Sequence, residues 1–198
     1  MTDFNYKLGL DSLAAKNYQK AIEHFTNSLN SEFSSGAHHN RGFAYFNLGN
    51  LAMAKIDYEA GAKWTLDHLK NGNNTDKVFV DSCLRDLIDS KSTIATIEMQ
   101  LKNFEGAKLI YTELLTFHMN VTNKSIIRPD WHISVIYSNR SMANLYLNKM
   151  DEAAKDMGAA YVESTSETKK NEILGIAQMT GILAKVKECI TVYRTIKK

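Results

Sequence analysis

The stretch NRGFAYFNLGNLAMAKIDYEAG, residues 40–61, decides the fold because small residues recur in it among large apolar ones. Gly42, Ala54 and Gly61 lie in segments whose apolar residues are spaced three and four positions apart, the spacing of one helix face. Gly49 lies between these segments, beside Asn50, and such a pair is typical of a turn. The stretch therefore predicts two helices joined by a short turn, with small side chains where the helices approach closely.

The same pattern occurs at four places along the chain. Each place has a short polar turn, then an apolar residue, an alanine three positions later and a large residue four positions after the alanine. A second helical stretch, with a small residue at a matched position, precedes each turn. The alanines are Ala21, Ala54, Ala107 and Ala153, and the small residues of the preceding stretches are Gly9, Gly42, Ala95 and Ser141. Repetition of this kind predicts a stack of helix–turn–helix units.

This unit resembles the tetratricopeptide repeat (TPR), a helical pair of about 34 residues. The second unit carries the resemblance best, with Gly42, Tyr45, Gly49, Ala54 and Tyr58 at positions of the family pattern. The resemblance implies an all-α fold, a right-handed α-solenoid of four TPR helix pairs within a single domain. We predict the repeats at residues 3–36, 37–70, 88–121 and 134–163.

Two insertions, at residues 71–87 and 116–130, lengthen the intervals around the third repeat. Residues 164–198 carry an apolar stripe at helical spacing, and a solenoid needs its last face covered. We therefore predict a C-terminal capping helix or helix pair there, beginning at a capping box formed by Ser164 and Glu167. The alternative is that this amphipathic segment binds a partner.

The composition excludes several classes of function. Lys and Arg number 24 and Asp and Glu 22, so a net charge of +2 gives no reason to expect nucleic acid or an acidic membrane as a partner. No apolar run approaches the roughly 18 residues of a membrane-spanning helix, and MTDFNYKLGL does not resemble a signal peptide. Cys83 and Cys189 belong to no CxxC motif, which favours buried free thiols in a reducing compartment. We therefore expect a cytoplasmic protein.

The sequence also contains no motif typical of a nucleotide-binding or catalytic site. Phosphate-binding glycine loops, zinc-protease helices and nucleophile elbows are all absent from it. We accordingly expect a chain that is not an enzyme and that holds no cofactor and no metal. The alternative that it is the regulatory domain of a larger enzyme stays open.

The TPR resemblance implies a concave groove lined by the first helix of each pair. We expect an adaptor or scaffold whose groove or insertions bind a partner protein or peptide, with aromatic side chains as anchors and amides bonding the peptide backbone. Two alternatives are that some aromatics only fill the core and that the C-terminal segment occupies the groove. The predicted groove residues are Tyr6, Leu10, His39, Asn40, Phe43, Phe46, Asn47, Thr96, Met99, Asn139, Met142 and Tyr146.

Co-chaperone TPR domains hold a C-terminal carboxylate with Lys and Asn, then Asn, then Lys and Arg. The matching positions here are Tyr6, Leu10, Asn40, Asp89 and Thr93, and only Asn40 agrees with the family. A buried carboxylate ligand without cations around it is costly. We therefore do not expect this chain to bind a chaperone tail through a carboxylate clamp.

The order of repeats, third-to-fourth insertion and apolar C-terminal segment is similar to the N-terminal domain of the 67-kDa cytosolic activator of the phagocyte NADPH oxidase. In that family the insertion and neighbouring loops bind the small GTPase Rac. The resemblance implies a second hypothesis, a GTPase-effector domain, although the insertion here does not reproduce the family's contact residues. The corresponding surface residues are Phe117, His118, Asn120, Asn123 and Lys124.

Overall fold

The computed structural model describes residues 4–31, 34–71, 77–120 and 133–197, and every regular element in these ranges is an α-helix. The predicted all-α class is therefore confirmed. The helices are α1 (Phe4–Ala14), α2 (Tyr18–Ser31), α3 (Ser35–Asn47), α4 (Leu51–Asn71), α5 (Lys77–Gln100), α6 (Phe104–Asn120), α7 (Ile133–Tyr146), α8 (Met150–Glu163), α9 (Glu167–Met179) and α10 (Leu183–Ile196).

The chain divides into two compact units, Met1–Ile97 and Glu98–Lys198. The boundary lies within α5, and each unit is described by itself. Much of the predicted insertion at residues 71–87 belongs to α5, and α6 continues into the one predicted at residues 116–130. Residues 72–76 and 121–132 lie outside the described ranges. The assignment of the whole chain to a single domain stays a prediction.

The turn inside each helix pair has the same backbone geometry. Lys16, Gly49, Lys102 and Asn148 all adopt positive φ, at 56°, 76°, 60° and 58°. In the second pair the Gly49 N–H donates to the Phe46 carbonyl at 3.0 Å and the Asn50 N–H donates to the Tyr45 carbonyl at 2.9 Å. The other three pairs repeat both bonds, which is the hydrogen bonding that ends helices in a left-handed residue.

Small residues lie where the paired helices of the first unit approach each other closely, as the sequence predicts. A Cβ atom on Gly9 would lie 2.5 Å from the Phe25 ring, which is itself fully buried. A Cβ on Gly42 would lie 3.3 Å from the Ala54 carbonyl and 3.3 Å from the Tyr58 ring. These positions therefore set how closely α1 approaches α2 and how closely α3 approaches α4.

One polar network joins α2, α3 and α4. Asp57 is fully buried and accepts from Arg41 through Nε at 2.8 Å and Nη2 at 2.7 Å, with His38 Nδ1 2.9 Å away. Arg41 also donates to Thr26 on α2 at 3.0 Å. Burial alone would raise the pKa of Asp57, but the bonds from Arg41 and His38 hold that pKa below its ordinary value.

The second unit repeats this network at matched positions. Arg140 on α7 donates to Asp156 on α8 at 2.9 and 2.6 Å and to Thr112 on α6 at 3.2 Å. Asn144 adds a bond to Asp156 at 3.0 Å. Each network therefore fixes one helix pair against the second helix of the preceding pair.

The last two helices form the predicted capping pair, joined at Gly181, where φ is 75°. Helix α10 packs on α8, where Val186 and Ile190 cover Met157 and its alanine neighbours. Gly158 allows this contact, because a Cβ there would lie 2.7 Å from Cys189 Cβ. Among the described helices, none is both long enough and apolar enough to cross a membrane.

The predicted capping box at Ser164 is wrong. The Ser164 N–H closes α8 by donating to the Ala160 carbonyl at 3.0 Å, so Ser164 serves the end of the preceding helix. Helix α9 begins at Glu167, and the Ser166 hydroxyl caps it by accepting from the Lys169 N–H at 3.3 Å. The sequence pattern therefore identified a real helix start but placed it two residues early.

Candidate functional site

Side chains from three helices of the first unit meet on one surface. We call it the three-helix face and define it by Tyr6 on α1, His39 and Asn40 on α3, and Asp86 and Ser90 on α5. Asn40 Nδ2 donates to the Tyr6 hydroxyl at 3.1 Å, which joins α1 to α3. Tyr6 packs with its ring edge against Phe25, with ring centres 5.7 Å apart. The structure thus brings together three of the groove residues predicted from sequence.

His39 joins α3 to α5. Its Nδ1 lies 3.2 Å from the Ser90 hydroxyl, and its ring contacts the Tyr58 ring edge-on at 5.2 Å. Burial lowers the pKa of His39, and the nearby Asp86 carboxylate offsets part of that effect. The imidazole is therefore held in its neutral form at neutral pH.

The sequence reasoning missed two members of this face, Ser90 and Asp86, and Asp86 is the charged one. Its half-buried carboxylate acts electrostatically on the Tyr6 hydroxyl and on His39. Burial raises the pKa of Asp86, against the opposing effects of His39 and Arg85. Among the residues that the structure describes, none donates a hydrogen bond to this carboxylate. The third repeat was predicted to begin at residue 88, which assigned Asp86 to an insertion rather than to a groove helix.

Exposed apolar side chains lie about one helical turn from these polar groups. Leu10 is 40% exposed on α1 and Phe43 is 42% exposed on α3. Phe43 contacts the Tyr18 ring edge-on at 6.4 Å, so that one side of its ring is supported by α2. These two residues give the first unit an apolar surface beside the three-helix face.

The other predicted groove residues of the first unit have different roles. Phe46 is half-buried. Asn47 turns its amide back to the Phe43 carbonyl at 2.8 Å, and Thr96 bonds the Ser92 carbonyl at 3.0 Å. Both polar side chains therefore donate hydrogen bonds to carbonyl groups of their own helices.

The remaining groove residues belong to the second unit. Met99, Asn139 and Met142 are half-buried there, and Tyr146 is 61% exposed. The Tyr146 ring stacks on Phe104 with centres 4.5 Å apart and planes 8° apart. The prediction that all twelve line one binding groove stays a prediction.

The insertion residues can be placed only in part. Phe117 is half-buried in α6. His118 and Asn120 also belong to α6, but their side chains are outside the description, as are Asn123 and Lys124 altogether. A GTPase-binding role for this surface stays a prediction.

In the described part of the second unit, a cavity of about 390 Å³ lies between α8 and α10, away from the predicted groove. Lys185 donates a hydrogen bond to Asp151 at the cavity, and burial raises the pKa of the Cys189 thiol that also lines it.

No three His, Cys, Asp or Glu side chains in the described ranges are grouped so that they could hold a metal ion.

Comparison with known proteins finds a match for one helix pair, α3 and α4. Residues 35–68 match the family model of the tetratricopeptide repeat. The structure is similar to BtubC (BKLC) from P. vanneervenii, with 16% identity, a TM-score of 0.65, and coverage of 98% of this chain and 78% of that chain. It is also similar to MamA from AMB-1, with 13% identity, a TM-score of 0.59, and coverage of 95% and 87%. Identities this low show a shared fold alone.

A third similar structure is the TPR2AB domain of yeast Sti1 in a complex with pHSP90. Its identity is 14% and its TM-score 0.45, over 98% of this chain and 97% of that chain. No curated protein has significant sequence similarity to the chain.

Proposed function

We propose that this chain is a non-catalytic interaction module of tetratricopeptide repeats that holds an extended segment of a partner protein on the three-helix face. The repeat fold supports protein binding in general, and the choice of this face is our own inference. The observation that carries it is the exposure of Leu10 and Phe43 beside the Tyr6–Asn40 pair. Apolar anchors next to polar groups are typical of the central part of a protein interface.

The aromatic and amide groups would contribute to binding in different ways. Phe43 is supported on one side by Tyr18 and is exposed on the other, so a partner side chain can cover it without a rearrangement. Tyr6 and Asn40 already hold each other, which removes part of the entropy cost of ordering them on binding. A segment lying across α1 and α3 would thus meet a largely preformed surface.

Peptide selection followed by affinity measurement tests the proposal. Short random peptides are selected on the 198-residue chain, and the recovered peptides are titrated by fluorescence anisotropy. Replacing Phe43 with Ala removes an anchor and is expected to weaken binding about tenfold. The matched control is Ile56→Ala, because Ile56 is 56% exposed on α4, a second helix of the same unit. Equal affinities for the two variants, or recovery of no peptide, would contradict the proposal.

A further inference from the structure

We infer that Asp86 pairs with a Lys or Arg side chain of the bound segment, so that the three-helix face selects segments with a basic residue close to an apolar one. This inference rests on the proposed function and names the chemistry of the partner. The carboxylate clamp of co-chaperone TPR domains binds an acidic group, whereas this face would bind a basic one.

The first argument is that no side chain in the described part of the chain donates a hydrogen bond to Asp86. The carboxylate is half-buried and accepts no hydrogen bond from any residue in the described ranges. A partly desolvated carboxylate without a donor is costly, and a cation from a ligand would remove that cost. Arg85 next to it acts on the carboxylate but does not outweigh the effect of burial.

The second argument is that His39 does not supply the missing positive charge. Its Nδ1 is engaged with Ser90, and its ring packs edge-on against Tyr58. Because burial favours the neutral imidazole, the negative charge of Asp86 is not balanced from α3. The charge is therefore available to a ligand.

The third argument is the set of groups around the carboxylate. Tyr6 places a hydroxyl and an aromatic ring near Asp86, and Asn40 holds that hydroxyl in place at 3.1 Å. A carboxylate beside an aromatic ring can bind a cation through both an ion pair and a cation–π contact. Leu10 and Phe43, one turn further along, offer apolar contact to the neighbouring residue of the segment.

The same groups disfavour an acidic segment. Asp89 follows on α5 and is exposed, so α5 presents two carboxylates within one turn. The clamp positions Tyr6, Leu10 and Thr93 provide no cation to oppose them. A ligand carboxylate placed here would meet like charge, whereas an ammonium or guanidinium group would meet a complementary one.

The test is a double-mutant cycle on selected peptides. Peptides recovered on the wild-type chain are expected to be enriched in Lys or Arg at one position next to an apolar residue. Asp86→Asn keeps the side-chain shape and is expected to weaken these peptides about tenfold, as is replacement of the peptide's basic residue by Gln. Once one partner is removed, removing the other should have little further effect. Asp67→Asn, at an exposed carboxylate of α4, is the control for the change in net charge.

The outcomes separate this inference from the proposal beneath it. Selected peptides that depend on Phe43 but carry no basic residue, or that bind Asp86→Asn as tightly as wild type, would overturn the inference alone. Recovery of no peptide would overturn both. Equal weakening by Asp67→Asn would show a non-specific charge effect and would also overturn the assignment to Asp86.

Discussion

At the scale of single residues, the turn between paired helices shows how the same geometry can be made with different amino acids. Four turns adopt positive φ, but only the second has glycine there, whereas Lys16, Lys102 and Asn148 occupy the others. A left-handed conformation costs a residue with a Cβ roughly 1–2 kcal/mol, and glycine avoids this cost. Asparagine tolerates this conformation, so the helix packing around the turns must outweigh local strain mainly at Lys16 and Lys102.

Lys102→Gly is expected to stabilise the protein by about 1 kcal/mol, because it removes the strain at φ of 60°. Gly49→Ala should destabilise by a similar amount for the opposite reason. Lys102→Ala, which removes the charge but keeps the Cβ, is the control. Urea unfolding gives the free energies. If Lys102→Ala stabilised as much as Lys102→Gly, the gain would come from the lost charge and not from the backbone.

His39 gives a pH dependence whose sign follows from its burial. Its pKa in the folded state is lowered from the ordinary value of 6.5, so the unfolded chain binds this proton first as the pH falls. The stability that the protein gains from keeping His39 neutral is therefore complete above the pKa of the unfolded chain. It is lost as the pH falls from that value towards the lower pKa of the folded state. Asp86 on α5 opposes this effect, and Ser90 and Tyr58 supply no charge.

We expect His39→Gln, which can still bond Ser90 but cannot titrate, to lose less stability than wild type between about pH 7.5 and 5.5. Urea midpoints at several pH values measure this difference. His24→Gln on α2 controls for the removal of a histidine. An identical pH profile for wild type and His39→Gln would rule out His39 as a source of the dependence.

At the scale of helices, the two arginine networks fix each pair to the helix before it. Asp57 receives two bonds from Arg41, and Arg41 reaches Thr26 on the preceding pair. Arg140 repeats this arrangement with Asp156 and Thr112. Breaking a buried ion pair destabilises a protein mainly because it leaves an uncompensated charge. Loss of either pair should therefore destabilise all three helices that its network joins.

Asp57→Ala is expected to destabilise the first unit by about 3 kcal/mol, because it leaves the half-buried Arg41 without its carboxylate. Asp67→Ala makes the same substitution at an exposed site on the same helix and should change stability by less than about 0.5 kcal/mol. Amide hydrogen exchange should show the loss of protection in α2, α3 and α4. Protection unchanged in these helices would mean that the network does not join them.

The helix pairs were predictable from sequence, whereas some of their ends were not. Small residues such as Gly9 and Gly42 mark close approaches, and the structure confirms both. The start of α9 was placed two residues early because Ser164 and Ser166 both offer a capping hydroxyl, and only the end of α8 decides between them. Caps depend on where the previous helix stops, which a short sequence pattern does not contain.

At the scale of the whole molecule, most helix contacts in the described ranges join helices that are neighbours along the chain, although α10 packs more on α8 than on α9. Such nearest-neighbour packing is why a repeat pattern was sufficient to predict the fold. The candidate site was harder to predict, because it depends on where α5 begins. Its extension back to Lys77 places Asp86 opposite Tyr6 and His39, and no repeat signal marks that extension.

The position of the two cysteines gives each unit its own chemical reporter. Cys83 is buried in the first unit and Cys189 is half-buried in the second, and burial raises the pKa of both thiols. Alkylation of the buried Cys83 should therefore require local opening, whereas the half-buried Cys189 is partly accessible, so labelling rates read by mass spectrometry would follow the two units separately within one sample. Asp57→Ala is expected to speed labelling of Cys83 and not of Cys189. Equal acceleration at both thiols would mean that the two units open together.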